Sequence, residues 1–492
     1  MEITRIREQL TALLGSTKVL TDDQTLKAHG HDFWLLDLQR RLHGGQSPMP
    51  ACVVQPDNTA EVSAVLAFAN REGIPVVPYG AGSGVCGGAR PSDGAVVIDL
   101  RHMAGILELN DIALTVTVQP GMLGKDLEAE LNFRGYSMGH FPQSMNISSV
   151  GGWVATRASG QFSTKYGSIE DMLASAVGVF ADGTVVSTKS LPRASVGPDV
   201  KQLFLGSEGT LAVITEITYR IHPLAEKQAC RAFQFASFAQ GLEAIRKIMR
   251  AGWKPALVRL YDASETKRHF AQVAGKDSCL LLVLSEGPAP LAEVELEACR
   301  AICTFEGGLD KGEEPVKHWL QNRFHVQDLN ALATEKGVIF DTIEVAANWD
   351  HVAALYETAV AGLKTVPGIA NASAHSSHSY QQGTCLYFTF AVTKPYWLLR
   401  QVGRHVSPLR AHGFTSPRDL EIIEERYNEC WQKVMEAALA NHGTISHHHG
   451  VGKVRLPWVE SELGAGYEVL ERIKKALDPK GVLNPGTLFK KR

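Results

Sequence analysis

Hydrophobic residues follow two different periods along this chain, and the change from one to the other predicts a mixed α and β protein. Short apolar runs, beginning with ACVVQP at 51–56, are typical of buried strands. The segment after Asn58 instead repeats apolar residues every three to four positions, and Asn58 with Glu61 has the spacing of a helix N-terminal capping pair. Further strands are predicted at IPVVP, AVVIDL and LTVTVQP, and Asp182-Gly183 predicts the tight turn of a hairpin.

The same patterns divide the chain into four segments. Residues 1–45 are predicted to be an N-terminal helical lead-in, and residues 46–222 one α+β domain that carries three glycine-rich loops. Over 223–440, helices such as FAQGLEAIRKIMRAG alternate with strands such as CLYFTFAV, which predicts a second α+β domain with an antiparallel sheet. Residues 441–492 are predicted to complete the site and the first domain.

Composition narrows the functional classes. The chain has 492 residues, enough for two or three domains, and its apolar fraction of 45% is typical of a soluble globular protein. A net charge of −3 gives no field that would attract nucleic acid or an anionic membrane surface. The eight cysteines form no CxxC pair, and no signal peptide or transmembrane run is present, so we expect a cytoplasmic protein with reduced thiols that acts on a small molecule.

Three glycine-rich loops in the first domain are candidates for binding a phosphorylated cofactor. The loop PYGAGSGVCGG at 78–88 follows a strand and would let backbone N–H groups approach a pyrophosphate, although a plain glycine turn would explain it equally well alone. A second cluster, PQSMNISSVGGW, begins at Pro142, and a third, GSEGTLAVITE, begins at Gly206. Together they match a long cofactor that has a pyrophosphate, a ribityl chain and a ring.

These motifs carry a family resemblance. PYGAGSGVCGGA, PQSMNISSVGGWVATRASG and LFLGSEGTLAVITEI resemble the FAD-binding loops of the vanillyl-alcohol oxidase and p-cresol methylhydroxylase family, and DPKGVLNPGTLF is similar to the C-terminal signature of its glycolate-oxidase-like branch. The resemblance implies an α+β fold: a two-subdomain FAD-binding domain of the p-cresol methylhydroxylase type, and an α+β cap domain with an antiparallel sheet. It also implies a homodimer.

The resemblance further implies that FAD binds along residues 78–84, 143–149, 156–159 and 208–214. No loop histidine or cysteine is placed to tether the ring, and Cys86 is nearest the phosphate loop, so we expect noncovalent FAD. The implied cofactor contacts are Pro78, Tyr79, Gly80, Ala81, Gly82, Ser83, Gly84, Gln143, Ser144, Ser148, Ser149, Gly152, Thr156, Ala158, Ser159, Glu208, Gly209 and Ile214.

The densest group of reactive side chains is SHHHGVGK at 446–453. Three consecutive histidines cannot share one face of a helix or strand, and the glycines after them indicate a turn. A polar surface loop is the alternative interpretation. The motif resembles the active site of the alkyldihydroxyacetonephosphate synthase branch, as do VRLYD around Arg259 and CLYFTF around Tyr387. The catalytic set implied by this resemblance is Arg259, Tyr387, His447, His448 and His449.

This chain departs from the synthase branch at one of the implied substrate contacts. The synthase branch has an Arg-Asp-Leu sequence near the substrate where this chain has Gln327-Asp328-Leu329. Arg323, four residues earlier, would lie on the same helix face and is predicted to supply the missing contact.

The histidines of HSSHSY add a metal alternative. Metal-dependent D-2-hydroxy-acid dehydrogenases carry a histidine-rich strand and a Glu-His-Gly-x-Gly turn, so imidazoles at His375, His378 and His448 would be their counterparts here. No zinc spacing is present. We therefore predict substrate hydrogen bonding by His375 and His378 and no metal.

Two reactions fit these residues. The first is an FAD-dependent oxidation of a small 2-hydroxy acid or alcohol: Arg259 binds the acid, Tyr387 or a histidine takes the hydroxyl proton, and hydride passes to flavin N5. The alternative is a transferase of the synthase type, which exchanges an acyl for an alkyl group through a flavin N5 adduct and needs no electron acceptor. A non-enzymatic flavin-binding role is disfavoured by the dense His, Arg and Tyr set. The sequence does not identify the electron acceptor.

Overall fold

The computed structural model describes residues 2–42, 44–273, 275, 277–325, 338–393 and 417–490, without the side chains of 417–419. The helices are α1 (Ile3–Leu14), α2 (Asp23–Ala28), α3 (Leu35–Leu42), α4 (Thr59–Glu72), α5 (Gly124–Phe133), α6 (Val150–Thr156), α7 (Ser163–Tyr166), α8 (Ile169–Met172), α9 (Phe238–Arg250), α10 (Ala263–Phe270), α11 (Ala289–Phe305), α12 (Glu314–Asn322), α13 (Val352–Lys364), α14 (Pro417–Ala440), α15 (Val459–Leu463) and α16 (Ala465–Leu477). The strands are β1 (Val19–Leu20), β2 (Cys52–Val54), β3 (Val76–Tyr79), β4 (Val96–Asp99), β5 (Ile106–Asn110), β6 (Thr115–Val118), β7 (Tyr136–Ser137), β8 (Leu173–Val179), β9 (Val185–Ser187), β10 (Val213–Arg220), β11 (His222–Pro223), β12 (Lys227–Phe235), β13 (Leu257–Tyr261), β14 (Cys279–Gly287), β15 (Leu309–Asp310), β16 (Val338–Asn348), β17 (Ile369–Ser379) and β18 (Gly383–Thr393).

A four-stranded sheet supports the first glycine loop. Its order is β1-β2-β4-β3, with β2 and β3 parallel to β4 and β1 antiparallel to β2. Helix α4 begins where the sequence predicts, because the Asn58 side chain accepts a hydrogen bond from the Glu61 N–H at 3.0 Å. Strand β3 then runs directly into the glycines that follow Tyr79.

A five-stranded antiparallel sheet forms the rest of the first α+β unit. Its order is β5-β6-β10-β8-β9, and β7 pairs separately with β11. On β6, Val116 and Val118 are fully buried, as their alternation with threonine predicts, but Leu114 has φ 52° and lies before the strand. The predicted hairpin between β8 and β9 is confirmed: Gly183 has φ 90°, and the Phe180 N–H donates to the Thr184 carbonyl at 2.9 Å.

The second unit is built on a seven-stranded antiparallel sheet of order β15-β12-β14-β13-β17-β18-β16. Alternate residues of these strands face opposite sides. Val258, Leu260, Leu386 and Phe388 are buried in a hydrophobic core with α9, α13 and α14. The other side carries a second hydrophobic cluster on β12, β13 and β14, and polar residues of β13, β17 and β18 where the sheet lines the cavity described below. This arrangement confirms the predicted antiparallel sheet of the cap.

Both ends of the chain pack against the glycine-loop unit. The predicted helical lead-in also contains β1, in which Val19 pairs with Val54 of β2. Near the other end, Leu483 forms a bridge with Val76, and the Asn484 side chain donates to the carbonyls of Gly88 and Glu208. Among the described residues, no helix has the length and apolarity to cross a membrane.

Candidate active site

A cavity of about 550 Å³ lies between the glycine loops and the polar side of the seven-stranded sheet. Every predicted site residue except Tyr79 and His447 lines it. The cavity-lining members are Pro78, Gly80, Ala81, Gly82, Ser83, Gly84, Gln143, Ser144, Ser148, Ser149, Gly152, Thr156, Ala158, Ser159, Glu208, Gly209, Ile214, Arg259, Arg323, His375, His378, Tyr387, His448 and His449. The Tyr79 side chain is buried away from the cavity, and its hydroxyl donates to the His31 carbonyl at 3.2 Å.

The glycines of the first loop leave space that side chains would fill. A Cβ on Gly80 would lie 2.2 Å from Ser149 Oγ. Gly82 has φ 67°, and its Cβ would lie 2.0 Å from the Tyr79 hydroxyl. At Gly80 the loop backbone therefore approaches the second glycine-rich segment closely, and Gly80, Gly82 and Gly84 line the cavity. Such a cradle fits the phosphates of a dinucleotide.

Glu208 connects the two halves of the site. Its carboxylate accepts hydrogen bonds from the Val451 N–H at 2.7 Å and the Gly452 N–H at 2.9 Å, although its predicted role is a cofactor contact. Burial raises the pKa of Glu208 to about 7 against the opposing effect of these hydrogen bonds. The third glycine segment therefore holds the histidine loop against the cavity.

One row of side chains crosses the polar side of the large sheet. Strand pairing places Glu344 opposite Tyr387, Tyr387 opposite His375, and His375 opposite Tyr261. The His375 and Tyr387 rings stack at 5.0 Å between centroids, with 11° between their planes. Antiparallel register thus brings together residues of β16, β18, β17 and β13 that are far apart in sequence.

At the β16 end of this row, three side chains are in contact in series: Tyr387, His449 and Glu344. Tyr387 Oη lies 3.0 Å from His449 Nε2, and His449 Nδ1 lies 2.9 Å from Glu344 Oε2. Glu344 also accepts the backbone N–H groups of His448 and His449 and pairs with Arg455, and both Glu344 and Arg455 are fully buried. Burial disfavours the Glu344 carboxylate, but the Arg455 charge outweighs it and holds the pKa of Glu344 well below the ordinary value.

A second chain runs through the middle of the row. Glu265 Oε2 lies 2.8 Å from His375 Nδ1, and the Arg259 guanidinium donates to His375 Nε2 at 2.7 Å and to the Tyr261 hydroxyl at 2.7 Å. Burial and the Arg259 charge lower the pKa of His375 to about 4, so this imidazole is neutral. Because burial is outweighed by His375 and Arg268, the pKa of Glu265 is about 2.

The remaining predicted histidines bond to one another and to hydroxyl groups. His378, at φ 55°, has Nδ1 2.7 Å from Ser163 Oγ. His447 Nε2 lies 2.7 Å from the Tyr380 hydroxyl, and its Nδ1 lies 2.9 Å from His448 Nδ1. Burial lowers the pKa of His447 to about 4 and that of His448 well below its ordinary value.

The possible metal ligands differ from the predicted set. Both ring nitrogens of His375 are occupied by Glu265 and Arg259. Cys385, His447 and His448 instead place ligand atoms within 4.8 Å of one another. Burial raises the pKa of the Cys385 thiol well above its ordinary value, which disfavours the thiolate that a metal ion requires.

Sequence reasoning missed the acidic and basic residues that orient the site. Glu344 and Arg455 hold the histidine loop, and Glu265 holds His375. A signal for Glu344 is present in VIFDTIEVAAN, where a carboxylate lies in an otherwise largely apolar strand. The predicted departure at Gln327 lies outside the described residues.

Comparison with known proteins places the chain in a family. The family model described as FAD binding domain matches residues 50–189, and that of the C-terminal domain of FAD linked oxidases matches 224–488. An uncharacterized FAD-linked oxidoreductase of Escherichia coli (strain K12), YgcU, is 32% identical over 98% of both chains. The glycolate oxidase subunit GlcD of Bacillus subtilis (strain 168) is 28% identical over 90% of both.

Solved structures show the same fold. An alkyldihydroxyacetonephosphate synthase structure superposes with a TM-score of 0.79 at 25% identity, covering 99% of this chain and 85% of the synthase. p-Cresol methylhydroxylase superposes with a TM-score of 0.75 at 16% identity, covering 98% and 96%, which shows the fold alone. With its glycine cradle and cap, the chain belongs to the FAD-linked oxidases of the p-cresol methylhydroxylase fold, and its cofactor is FAD.

Proposed function

We propose that this protein oxidises a small 2-hydroxy acid at its CH–OH carbon. The observation that carries the proposal is the side-by-side arrangement of a cation and a proton-accepting chain on one sheet face: Arg259 bonds to His375, and His375 stacks on Tyr387. A 2-hydroxy acid carries its carboxylate and hydroxyl on adjacent carbons, so it can present the two groups to these neighbouring side chains. When bound, FAD supplies the acceptor for the hydride.

Arg259 is the group that binds the substrate carboxylate. Among the described residues, no carboxylate oxygen lies within 4.0 Å of its guanidinium, whose hydrogen bonds go to the neutral Tyr261 and His375. Since Arg259 donates to Nε2, the His375 proton lies on Nδ1 and is donated to Glu265. The positive charge of Arg259 therefore remains available for an anion.

Tyr387 is the group that takes the hydroxyl proton. Burial and the Glu344 charge raise the pKa of its phenol, so Tyr387 is neutral at rest. Its proton moves to His449 Nε2 as the phenol receives the substrate hydroxyl proton. The resulting imidazolium is stabilised through Nδ1 by the ionised Glu344. With FAD bound as the hydride acceptor, loss of the hydroxyl proton to these residues and of the hydride at C2 would leave a 2-oxo acid.

The proposal is tested by mixing the yellow holoenzyme anaerobically with D-lactate, D-glycerate, the dicarboxylate D-malate and ethanol in a stopped-flow spectrometer. We expect the oxidised-flavin band to disappear with hydroxy acids, and more slowly with ethanol because it lacks the group that Arg259 binds. Retention of the band with every hydroxy acid and alcohol contradicts the proposal.

A second candidate is acyl-for-alkyl exchange of the type named by the synthase relatives. It is favoured by the ring contacts of His448 and His449 with Tyr387, at 5.7 and 5.5 Å between centroids, and by the synthase structure that superposes on this chain at 25% identity. Incubation with acyl-dihydroxyacetone phosphate and a fatty alcohol distinguishes the two. Alkyl product formed without an electron acceptor supports the transferase and contradicts the oxidase.

FAD is proposed to be held without a covalent bond. The Cys86 thiol lines the cavity, but Arg455 donates to its sulfur at 3.1 Å, and burial raises the pKa of this thiol above its ordinary value. Acid precipitation is expected to release all of the yellow cofactor into the supernatant, whereas a flavin that stays with the pellet contradicts this.

A further inference from the structure

We infer that Arg323 forms a second anion-binding subsite in the cavity, and that the substrate is a 2-hydroxy acid with a second anionic group, either a carboxylate or a phosphate. The inference rests on the proposed function for the first carboxylate at Arg259. It adds a requirement on the rest of the substrate.

Aromatic rings surround the Arg323 guanidinium on several sides. Its Cζ lies 4.7 Å from the ring centroids of both Phe141 and Phe162, 4.5 Å from that of Phe324 and 5.9 Å from that of Trp319. The residue directly follows α12 and lines the cavity. Rings fix the position of a guanidinium and attract its charge, but they do not neutralise it.

The charge of Arg323 is not neutralised within the described part of the chain. Its Nη1 is buried and makes no hydrogen bond, and no described carboxylate oxygen lies within 4.0 Å of the guanidinium. Burial lowers the pKa of Arg323 to about 10, against the weaker opposing effect of Glu286 and Glu128. A buried ion without a counter-ion is unfavourable even beside aromatic rings, so an anion in the cavity would complete this arrangement.

Arg268 provides a comparison within the same cavity. Its Nη2 lies 3.3 Å from Glu265 Oε1 and donates to Ser373 Oγ at 3.0 Å, so its charge is already balanced by the protein. Among the carboxylates of the described residues, Arg259 and Arg323 have no such partner. Arg268 is therefore a structural cation, whereas Arg259 and Arg323 are available to bind an anionic ligand.

The two unbalanced cations line one cavity beside the same aromatic side chain. Arg259 Cζ and Arg323 Cζ each lie 5.9 Å from the centroid of the Trp319 ring, so the two atoms are no more than twice that distance apart. His318 and Asn322, which are four residues apart on α12, line the same end of the cavity and add hydrogen-bonding groups. A hydroxy acid bound through its first carboxylate at Arg259 would therefore present a second anion, a few bonds away, to Arg323.

The test measures binding with anions that cannot be oxidised, so that it does not depend on turnover. Butanoate carries one carboxylate, glutarate carries two, and 3-phosphonopropanoate carries a carboxylate and a phosphonate. Each is titrated into the holoenzyme, and the change in the flavin absorption spectrum gives the dissociation constant. We expect at least one dianion to bind tenfold or more tightly than butanoate, and the tighter one identifies the preferred second group.

Variants assign this preference to a residue. Arg323→Gln is expected to reduce the dianion-to-butanoate ratio to near one, and Arg323→Lys to retain part of it because the charge remains. Arg300→Gln is the matched control, since Arg300 is a surface residue that pairs with Glu297, and it keeps the wild-type ratio. Equal binding of all three anions by the wild type, or an unchanged ratio in Arg323→Gln, overturns the inference.

The two proposals fail separately. A tenfold ratio that depends on Arg323, combined with no flavin reduction by any hydroxy acid, supports the subsite and contradicts the oxidation. Rapid reduction by D-lactate, combined with a ratio of one, contradicts the subsite and supports the oxidation.

Discussion

Replacing Glu344 with glutamine tests the orienting role of a residue that does not line the cavity. The substitution keeps the side-chain size but removes the charge beside His449 Nδ1, which is 2.9 Å away. The contact is an ion pair, and an interaction with a charged group contributes about 1.5–3 kcal/mol. Because the attraction strengthens when His449 takes the Tyr387 proton, its loss should slow flavin reduction about 10- to 100-fold. Substrate affinity should stay within about twofold, since Arg259 is untouched.

The same substitution should also destabilise the fold. Arg455 is fully buried and would lose its carboxylate partner, a change that costs about 3–5 kcal/mol. Stopped-flow reduction gives the limiting rate and the substrate dissociation constant, and urea unfolding gives the stability. Glu297→Gln, at an exposed ion pair with Arg300, is the control and should change neither. Wild-type reduction and stability in Glu344→Gln would refute the reasoning.

Three further predictions follow from the site. Tyr387→Phe should slow flavin reduction at least about 100-fold, because it removes the proton acceptor. It should change the free energy of unfolding by only about 1 kcal/mol, because the ring can still stack on His375. Stopped-flow reduction and urea unfolding measure the two effects, and a wild-type rate contradicts the prediction. Gly82→Ala should lose FAD on gel filtration, whereas Gly94→Ala, also at positive φ but with no atom within 4 Å of its Cβ, should retain it; equal flavin content refutes the steric argument. Burial depresses the pKa of His375 to about 4, so unfolding takes up a proton at this residue between about pH 6.5 and pH 4. The free energy of unfolding should therefore fall as the pH is lowered from 6.5 to 4, and it should fall less steeply in His375→Gln. Equal slopes in urea unfolding of the two proteins contradict this.

The parts of the fold predicted from sequence are those that local patterns determine. The capping pair at Asn58 and the turn at Asp182-Gly183 each depend on a few neighbouring residues, and both are confirmed. Strand β1 was missed because two residues carry no period, and it exists only through its pairing with β2.

The site was predictable where a motif marks it and not where distant residues meet. The histidine loop and Tyr387 were found by resemblance to a family. Glu344 and Arg455 are 111 residues apart, and only the sheet register with the return of the chain after α14 brings them together. Arg323 was predicted from helix spacing, whereas its aromatic surroundings required the structure.

The most direct test of the central claim, oxidation of a 2-hydroxy acid with Tyr387 as proton acceptor, is anaerobic flavin reduction with a D-2-hydroxy acid deuterated at C2. The account predicts that the holoenzyme loses its oxidised-flavin band, that deuterium slows this loss, and that Tyr387→Phe slows it further. A band that persists with every hydroxy acid, together with acyl-for-alkyl exchange that needs no electron acceptor, would contradict it.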